Sequence, residues 1–452
     1  MSRLMASMVL VSLLITSAMP IVSAQVGQPD IIQEHWYHSY ATLTLDLNEW
    51  ADDYPEIVVL LSIGQTELGR EIWMLQISDW SKETKEDGTK KDVVYIDGGH
   101  HGNEHLGTEL AFLTAQFYIE GWSSGDNEVI EILSNVELHI LIMLNADGND
   151  FDTRWNVNQV DLNRNYDHYW NTCPTTQPGN SAFSESETLA NSIYMNEVVP
   201  DADLYVTMHT GVWIMLYPWG KWPEQPSDWE LFHYIRDEIN GNISDIPIRN
   251  ANQGLYPNCG TSRDYGYGVM GYPTFTFETD DEQFLLGTIE SLSDRLSEEL
   301  DVMRYLIQNV WYWRARLVFE KLEITNNQIS VEVSNLGHSS TANATLNYYN
   351  YDGELLWNSE NFGVNATNHS KIIIDANNLS LTNNGFWSVT YQKRVVDSAQ
   401  WVEESINQSA IVIINSGSER FLPAPSLFIY LISIIGAAFA QKKKIKNQKI
   451  LF

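Results

Sequence analysis

The chain has 452 residues, 44% hydrophobic and only 19% charged, which is enough apolar material for a full-sized core and excludes a disordered or coiled-coil protein. Lys and Arg number 26 against 59 Asp and Glu, a formal charge of −33 that argues against a phosphate-neutralising surface and hence against a nucleic-acid partner. A chain of this length calls for more than one domain.

Residues 1–24 place one Arg ahead of an apolar run and finish on Val22-Ser23-Ala24, the small-residue pattern of a signal-peptidase site, so the mature chain is expected to begin at Gln25. Export puts Cys173 and Cys259 in an oxidising compartment, where two cysteines permit a single bridge. From Ile57 to Phe277 the runs IVVLLSIG, EIWMLQIS, DVVYIDGG, VELHILIML, DLYVTMH and PTFTFE read as strands. Helical patterns separate them, such as EHLGTELAFLTAQFY with Leu106, Leu110, Leu113 and Phe117 on one face. This alternation predicts an α/β domain, a mixed central sheet with helices on both faces, over residues 25–316, closed by a helical pattern from Glu282 to about Arg316.

Residues 317–416 change character. KLEITNN, ISVEVSN, ATLNYYNY, KIIIDA, WSVTYQK and AIVIINS alternate apolar and polar positions between Asn, Gly and Ser, the pattern of a small all-β sandwich. Asn-x-Ser/Thr triplets start at Asn343, Asn365, Asn368, Asn378 and Asn407 there and at Asn242 before it, candidate glycosylation sites in an exported chain. No catalytic cluster falls in this region, whose expected role is spacing, stability or adhesion. Residues 421–452 then carry twenty uncharged positions, Phe421 to Ala440, followed by five lysines in nine, which reads as a membrane anchor or sorting signal.

The chemistry concentrates in DVVYIDGGHHGNEHLG. His101 and Glu104, three apart on a turn at a strand's end, can reach one cation, and two histidines plus one carboxylate leave a fourth zinc position open for water. Further motifs follow in order: NADG at Asn145 to Gly148, RWNVNQVDLNRNY at Arg154 to Tyr166, VTMHTG around His209, GLYPNCGTSRDY around Tyr256 and FTFE ending at Glu278. On these motifs the chain, from about Tyr37 to Arg316, resembles the zinc carboxypeptidases, the funnel-shaped family of carboxypeptidases A, B and T.

The resemblance implies one Zn2+ per chain held by His101, Glu104 and His209, with Asp161 hydrogen-bonding a ligand histidine from behind. It implies Glu278 as general base and acid and Arg154 as the group facing the oxyanion. Asn163, Arg164 and Tyr256 would hold the terminal carboxylate of a peptide. Cys173 and Cys259 would lie in two loops bordering the same funnel, where a disulfide between them is expected. Arg263, seven residues past Tyr256, would stand at the floor of the pocket for the C-terminal side chain. An unpaired guanidinium there implies selection of C-terminal Glu or Asp.

Two departures stand out. Thr210-Gly211 follows His209 where the family has Ser or Thr and then Tyr, which implies wider subsites beyond the cleaved bond. About a dozen residues separate the cleavage site from Tyr37, too few for a long inhibitory segment, so the chain is expected to be made active. His101-Gly-Asn-Glu104-His105 also matches HxxEH, in which two histidines one helical turn apart ligate zinc. That requires His101 inside a helix, whereas Gly98-Gly99 puts it in a turn, with His100 and His105 as neighbours rather than ligands. The expected protein is a monomeric, membrane-tethered carboxypeptidase acting on extracellular peptide or protein C-termini. An amidohydrolase of the same fold acting on cell-wall peptides and a catalytically inactive surface binding protein are the two other readings of the same residues.

Overall fold

The computed structural model describes residues 37–414 apart from 175–176, 280–288, 326–327, 376–384, 394–402 and 408–411. The signal peptide, the C-terminal segment 421–452 and Asn378 lie outside the described residues. Among the described residues no helix is long and apolar enough to cross a membrane.

Residues up to 316 build one sheet and its helices. In chain order they are α1 (Tyr40–Asp53), β1 (Val58–Gln65), β2 (Glu71–Ile77), β3 (Asp92–Gly98), α2 (His105–Ser124), α3 (Asn127–Asn135), β4 (Val136–Leu141), α4 (Ala146–Asp150), α5 (Ser186–Glu197), β5 (Leu204–Thr210), β6 (Ile214–Tyr217), α6 (Trp229–Asn242), β7 (Ile248–Asn250), α7 (Ala251–Gly254), α8 (Ser262–Gly268), β8 (Thr274–Thr279) and α9 (Ile289–Gln308). The sheet order is β1-β2-β4-β3-β5-β8-β6-β7. The centre, β4-β3-β5-β8, is parallel, while β1, β2 and the β6–β8 pairing are antiparallel. Parallel strands covered by helices on both faces carry apolar residues at every position, and β5 is buried throughout its length.

All six runs read as strands in this region are strands. β6 and β7 escape pattern reading because four and three residues are too short to show a period. α2 is buried on more than its Leu106 and Leu110 face, since Ala111, Phe112, Ala115 and Tyr118 are also buried. The helical pattern read as far as Arg316 stops at Gln308, followed by a 3-10 turn at Val310–Tyr312. Val310 and Trp313 continue the apolar spacing because both are core residues, and the chain is already turning towards the next domain.

Residues from Leu317 onward form two facing sheets: β9 (Leu317–Thr325), β10 (Gln328–Asn335), β11 (Thr341–Tyr349), β12 (Leu355–Asn358), β13 (Phe362–Val364), β14 (His369–Asp375), β15 (Phe386–Gln392), β16 (Glu403–Asn407) and β17 (Val412–Ile414). The orders are β14-β10-β9-β17 and β12-β11-β15-β16, with β13 also on β11. Leu322, Val331 and Val333 from one sheet and Leu346, Trp387 and Val389 from the other share the core between them.

The junction between the two units is polar and buried. The Asp203 carboxylate faces Lys393 Nζ at 3.3 Å and Arg314 Nε at 3.5 Å, and Arg316 pairs with Asp92. Burial alone would raise the Asp203 carboxyl, but Lys393, Arg314 and Arg316 hold it well below the usual carboxylate range. Asp92 opens β3 and Asp203 precedes β5, so the second unit grips the amino-terminal edge of the parallel strands.

Candidate active site

The opposite, carboxyl-terminal edge of β3, β5 and β8 carries the candidate site, the place where open α/β sheets bind ligands. β3 ends at Gly98, paired with Met208, and β5 ends beside β8 with His209 opposite Glu278. Gly99 has φ +66°, a left-handed turn that swings His100 and His101 over the sheet edge. A Cβ on Gly102 would lie 2.0 Å from the carbonyl carbon of Gly148, so the HGNE and NADG loops touch backbone to backbone.

His101, Glu104 and His209 converge as three buried groups whose ligating atoms lie within 4.8 Å of one another. His101 Nδ1 stands 2.7 Å from Glu104 Oε1, and His209 Nδ1 stands 2.8 Å from Glu104 Oε2. Two imidazole nitrogens and a carboxylate on one point are the donor set of a hydrolytic zinc site, and the residues fit the metal. Behind them, His101 Nε2 meets Asp161 Oδ1 at 3.0 Å, which leaves Nδ1 as the metal-facing nitrogen. Burial would raise the Asp161 carboxyl, yet His101, Arg164 and Arg154 bring it well below the usual range.

Arg154 clamps this assembly, with Nε and Nη2 donating to Asp161 Oδ2 at 3.1 and 2.9 Å and Nη1 donating to Glu104 Oε1 at 3.1 Å. Two of its five N–H groups are not taken up by these contacts. The Glu278 carboxyl is pushed up to about 7, chiefly by burial and then by Glu104, against the pull of His209, Arg154 and Arg263. Gly211 borders it, since a Cβ there would stand 3.7 Å from Glu278 Oε2, and the missing side chain leaves that flank open.

Across the site, Arg164 Nη2 donates to the Tyr256 hydroxyl at 3.2 Å and Nη1 donates to the Asn163 carbonyl at 2.7 Å. Tyr256 is half exposed on its loop. Asn163 lies between this pair and the metal-facing cluster. Its Oδ1 accepts the Ser262 N–H at 3.0 Å and its Nδ2 lies 3.0 Å from His209 Nε2, so the amide packs against the back of a metal-facing ring.

Arg263 requires a correction. It is buried, but not unpaired: Nε donates to Asp264 Oδ1 at 2.9 Å, Nη2 to Asn258 Oδ1 at 2.8 Å and Nη1 to Thr276 Oγ1 at 3.3 Å. Gly220 makes room for it, since a Cβ there would fall 2.3 Å from Arg263 Nη2.

His105 opens α2 and turns away from the metal-facing cluster, with Nε2 on Asp152 Oδ1 at 2.9 Å and its ring stacked on Tyr37. The HxxEH arrangement is therefore not formed. Several groups have partners that the local sequence does not reveal. Asp97 lies fully buried beneath the site, accepts from Asn191 Nδ2 at 3.0 Å and Tyr205 OH at 2.7 Å, and is raised to about 6 by burial. His100 Nε2 meets the Tyr166 hydroxyl at 2.8 Å. In the NADG motif, Asp147 accepts from Thr66 Oγ1 at 3.0 Å and from Arg70 at 2.5 Å, anchoring the β1–β2 turn to the site loops.

Cys173 and Cys259 are joined, their Cα atoms 5.6 Å apart, and the bridge ties the loop after Tyr166 to the loop that carries Tyr256. It closes a long stretch of chain, 86 residues apart in sequence, so reduction is expected to lower stability by about 2–4 kcal/mol. Melting with and without reductant reads this, and an unchanged midpoint would count against a constraining bridge.

A family model described as zinc carboxypeptidase matches residues 44–298. Carboxypeptidase B of Astacus astacus is 24% identical over 273 residues, covering 54% of this chain and 86% of that protein. Mast cell carboxypeptidase A of Homo sapiens is 24% identical over 278 residues, covering 54% of this chain and 63% of that protein. The crystal structure of carboxypeptidase A from Helicoverpa armigera superposes with a TM-score of 0.51 at 25% identity, covering 60% of this chain and 74% of that one.

Proposed function

The chain belongs to the zinc carboxypeptidase family, is a hydrolase of the metallocarboxypeptidase type with zinc as its metal, and within that family we propose that it is an exported exopeptidase. It removes single C-terminal residues from extracellular peptides, as a monomer tethered to the membrane through residues 421–452. The observation that carries this reading is a metal-ligand set, His101, Glu104 and His209 with Glu278 paired to His209 across the strands, next to a buried arginine, Arg164, that is hydrogen-bonded only to the neutral Asn163 carbonyl and Tyr256 hydroxyl. A carboxylate held by Arg164 places the last peptide bond, and no other, over the cluster.

When bound, zinc supplies Lewis acidity that makes water a better nucleophile and polarises a carbonyl. Glu278 takes a proton from the attacking water on its carboxylate and passes it to the departing amine, a role suited to a carboxyl raised towards neutrality. Arg154 turns its two spare N–H groups towards the developing oxyanion while its other contacts keep the guanidinium rigid.

Specificity at the leaving residue rests on Arg263. Asp264 cancels part of its charge, yet its two Nη atoms meet only the neutral acceptors Asn258, Thr261 and Thr276. The pocket floor therefore stays hostile to a second cation and retains attraction for a carboxylate. Comparison of kcat/KM for peptides ending in Glu, Leu and Lys tests this. Glu should exceed Lys by about tenfold or more, equivalent to about 1.4 kcal/mol, with a smaller margin over Leu than an unpaired arginine would give. Arg263→Asp should invert the Glu and Lys order, and a wild-type preference for Lys would refute the assignment.

A further inference from the structure

One end of the second unit presents an apolar surface that neither core uses. Tyr351, Leu355 and Leu356 are exposed at 63%, 49% and 40%, and Phe386 at 39% with its ring stacked on Tyr349. The strand registers gather them at one pole. Tyr349, the last residue of β11, pairs with Leu355, the first of β12, and with Phe386, the first of β15. The opposite end of the unit lies at the junction: β9 begins directly after Arg316, and Lys393 follows β15 and reaches Asp203. The turn at the pole is fixed, because Asn350 Oδ1 accepts the Asp352 and Glu354 N–H groups at 3.0 and 2.8 Å.

The chain leaves from this same pole. β17 runs parallel to β9, with Ile414 opposite Ile324, and β9 is heading away from the junction at that point. Six residues, 415–420, separate Ile414 from the apolar segment that starts at Phe421. Fully extended, six residues span about 20 Å at most. If Phe421 to Ala440 sit in a bilayer, the pole is confined to the bilayer's surface layer.

We propose that this pole, Tyr349, Tyr351, Leu355, Leu356 and Phe386, is a lipid-contacting foot that seats on the membrane interface; this rests on the membrane tether proposed above. Aromatic rings with a polar atom and aliphatic side chains on a fixed turn suit the headgroup region, where one end of a side chain is dry and the other wet. Asp352, Glu354 and Asp375 share the pole, so the contact is apolar rather than electrostatic and does not need anionic lipid. The nine residues of β11 span about 30 Å from foot to junction, and the site opens on the sheet edge away from that junction. The enzyme thus faces the bulk phase, which favours soluble peptides over substrates lying on the membrane.

The test uses the full chain, whose two native cysteines are bridged and leave an introduced thiol free to label. Leu355→Cys and, separately, Tyr351→Cys carry an environment-sensitive fluorophore, with Leu68→Cys on the exposed β1–β2 turn as the remote control. On phosphatidylcholine vesicles containing nitroxide-labelled lipid, the two pole labels should shift to the blue and lose roughly half their intensity, while the Leu68 label stays unchanged. Vesicle binding with all three labels unquenched would overturn the foot and leave the tether standing. A chain that stays in the supernatant would remove the tether and the foot with it. A concentration-dependent blue shift without lipid would show that a second copy covers the pole, and would also overturn the proposal.

Discussion

Glu278→Gln should keep close to one zinc per chain while turnover falls by about three orders of magnitude, the effect of removing a positioned general base. The two halves of this expectation come from different parts of the structure. Zinc retention follows because His101, Glu104 and His209 close on one another without Glu278, and Asp161 and Arg154 hold them from behind. Loss of turnover follows because Glu278 is the carboxyl on the strand edge opposite His209 with an open flank at Gly211. The same carboxyl sets the acid limb of the pH profile. Burial raises it to about 7 without metal, and a divalent cation beside it favours the ionised form, so kcat/KM should fall with acidification from a midpoint at or below neutrality. Metal analysis and steady-state rates on one preparation decide the matter. Lost zinc would make Glu278 a ligand, and retained activity would assign the proton to another group.

Much of the site is legible in the sequence because its chemistry is carried by short segments. His101 and Glu104 share one turn, Asp161, Asn163 and Arg164 another, and each turn follows a strand or motif recognisable by itself. What the sequence conceals is which partner each polar group chooses once distant segments meet. The resemblance implies that Arg263 stands at the floor of the pocket, but its engagement depends on Asn258, Thr276 and the space left by Gly220, which arrive from three separate elements. Asn163 stands beside Arg164 in the chain, yet its amide packs against His209 and accepts from the Ser262 N–H, 46 and 99 residues away. Asp97 shows the same limit more sharply. It reads as the end of a strand, and only the folded sheet places it under the metal-facing cluster with Asn191 and Tyr205 upon it. The fold divides similarly: strands of six or more residues in the α/β unit declare themselves by burial pattern, while β6 and β7 are strands only because β8 and its neighbours complete the sheet.

Arg164→Met should lower kcat/KM for peptides with a free C-terminal carboxylate by a factor of about a hundred or more, and should nearly abolish discrimination between those peptides and their C-terminal amides. The guanidinium is buried, and its Nη groups meet only the Asn163 carbonyl and the Tyr256 hydroxyl. Both hydrogen-bond partners are neutral; the Asp161 carboxylate feels this guanidinium through space but is not hydrogen-bonded to it, so an incoming carboxylate is the first to bond it directly, and two charge-assisted hydrogen bonds contribute about 1.5–3 kcal/mol each. Tyr256, half exposed on a loop that the Cys173–Cys259 bridge holds in place, can move off Arg164 without disturbing the core and close over the bound end. The wild type should therefore prefer the free acid to the amide by a comparable factor, and that preference separates an exopeptidase from an amidohydrolase of the same fold. Most of the loss should appear where positioning matters, in kcat as well as KM, because a peptide that is not held by its end leaves its last bond displaced from Glu278. Methionine fills similar volume, so a normal melting temperature with lost discrimination isolates the charge. Equal rates on acid and amide in the wild type would remove Arg164 from substrate recognition, and the exopeptidase reading would fall with it.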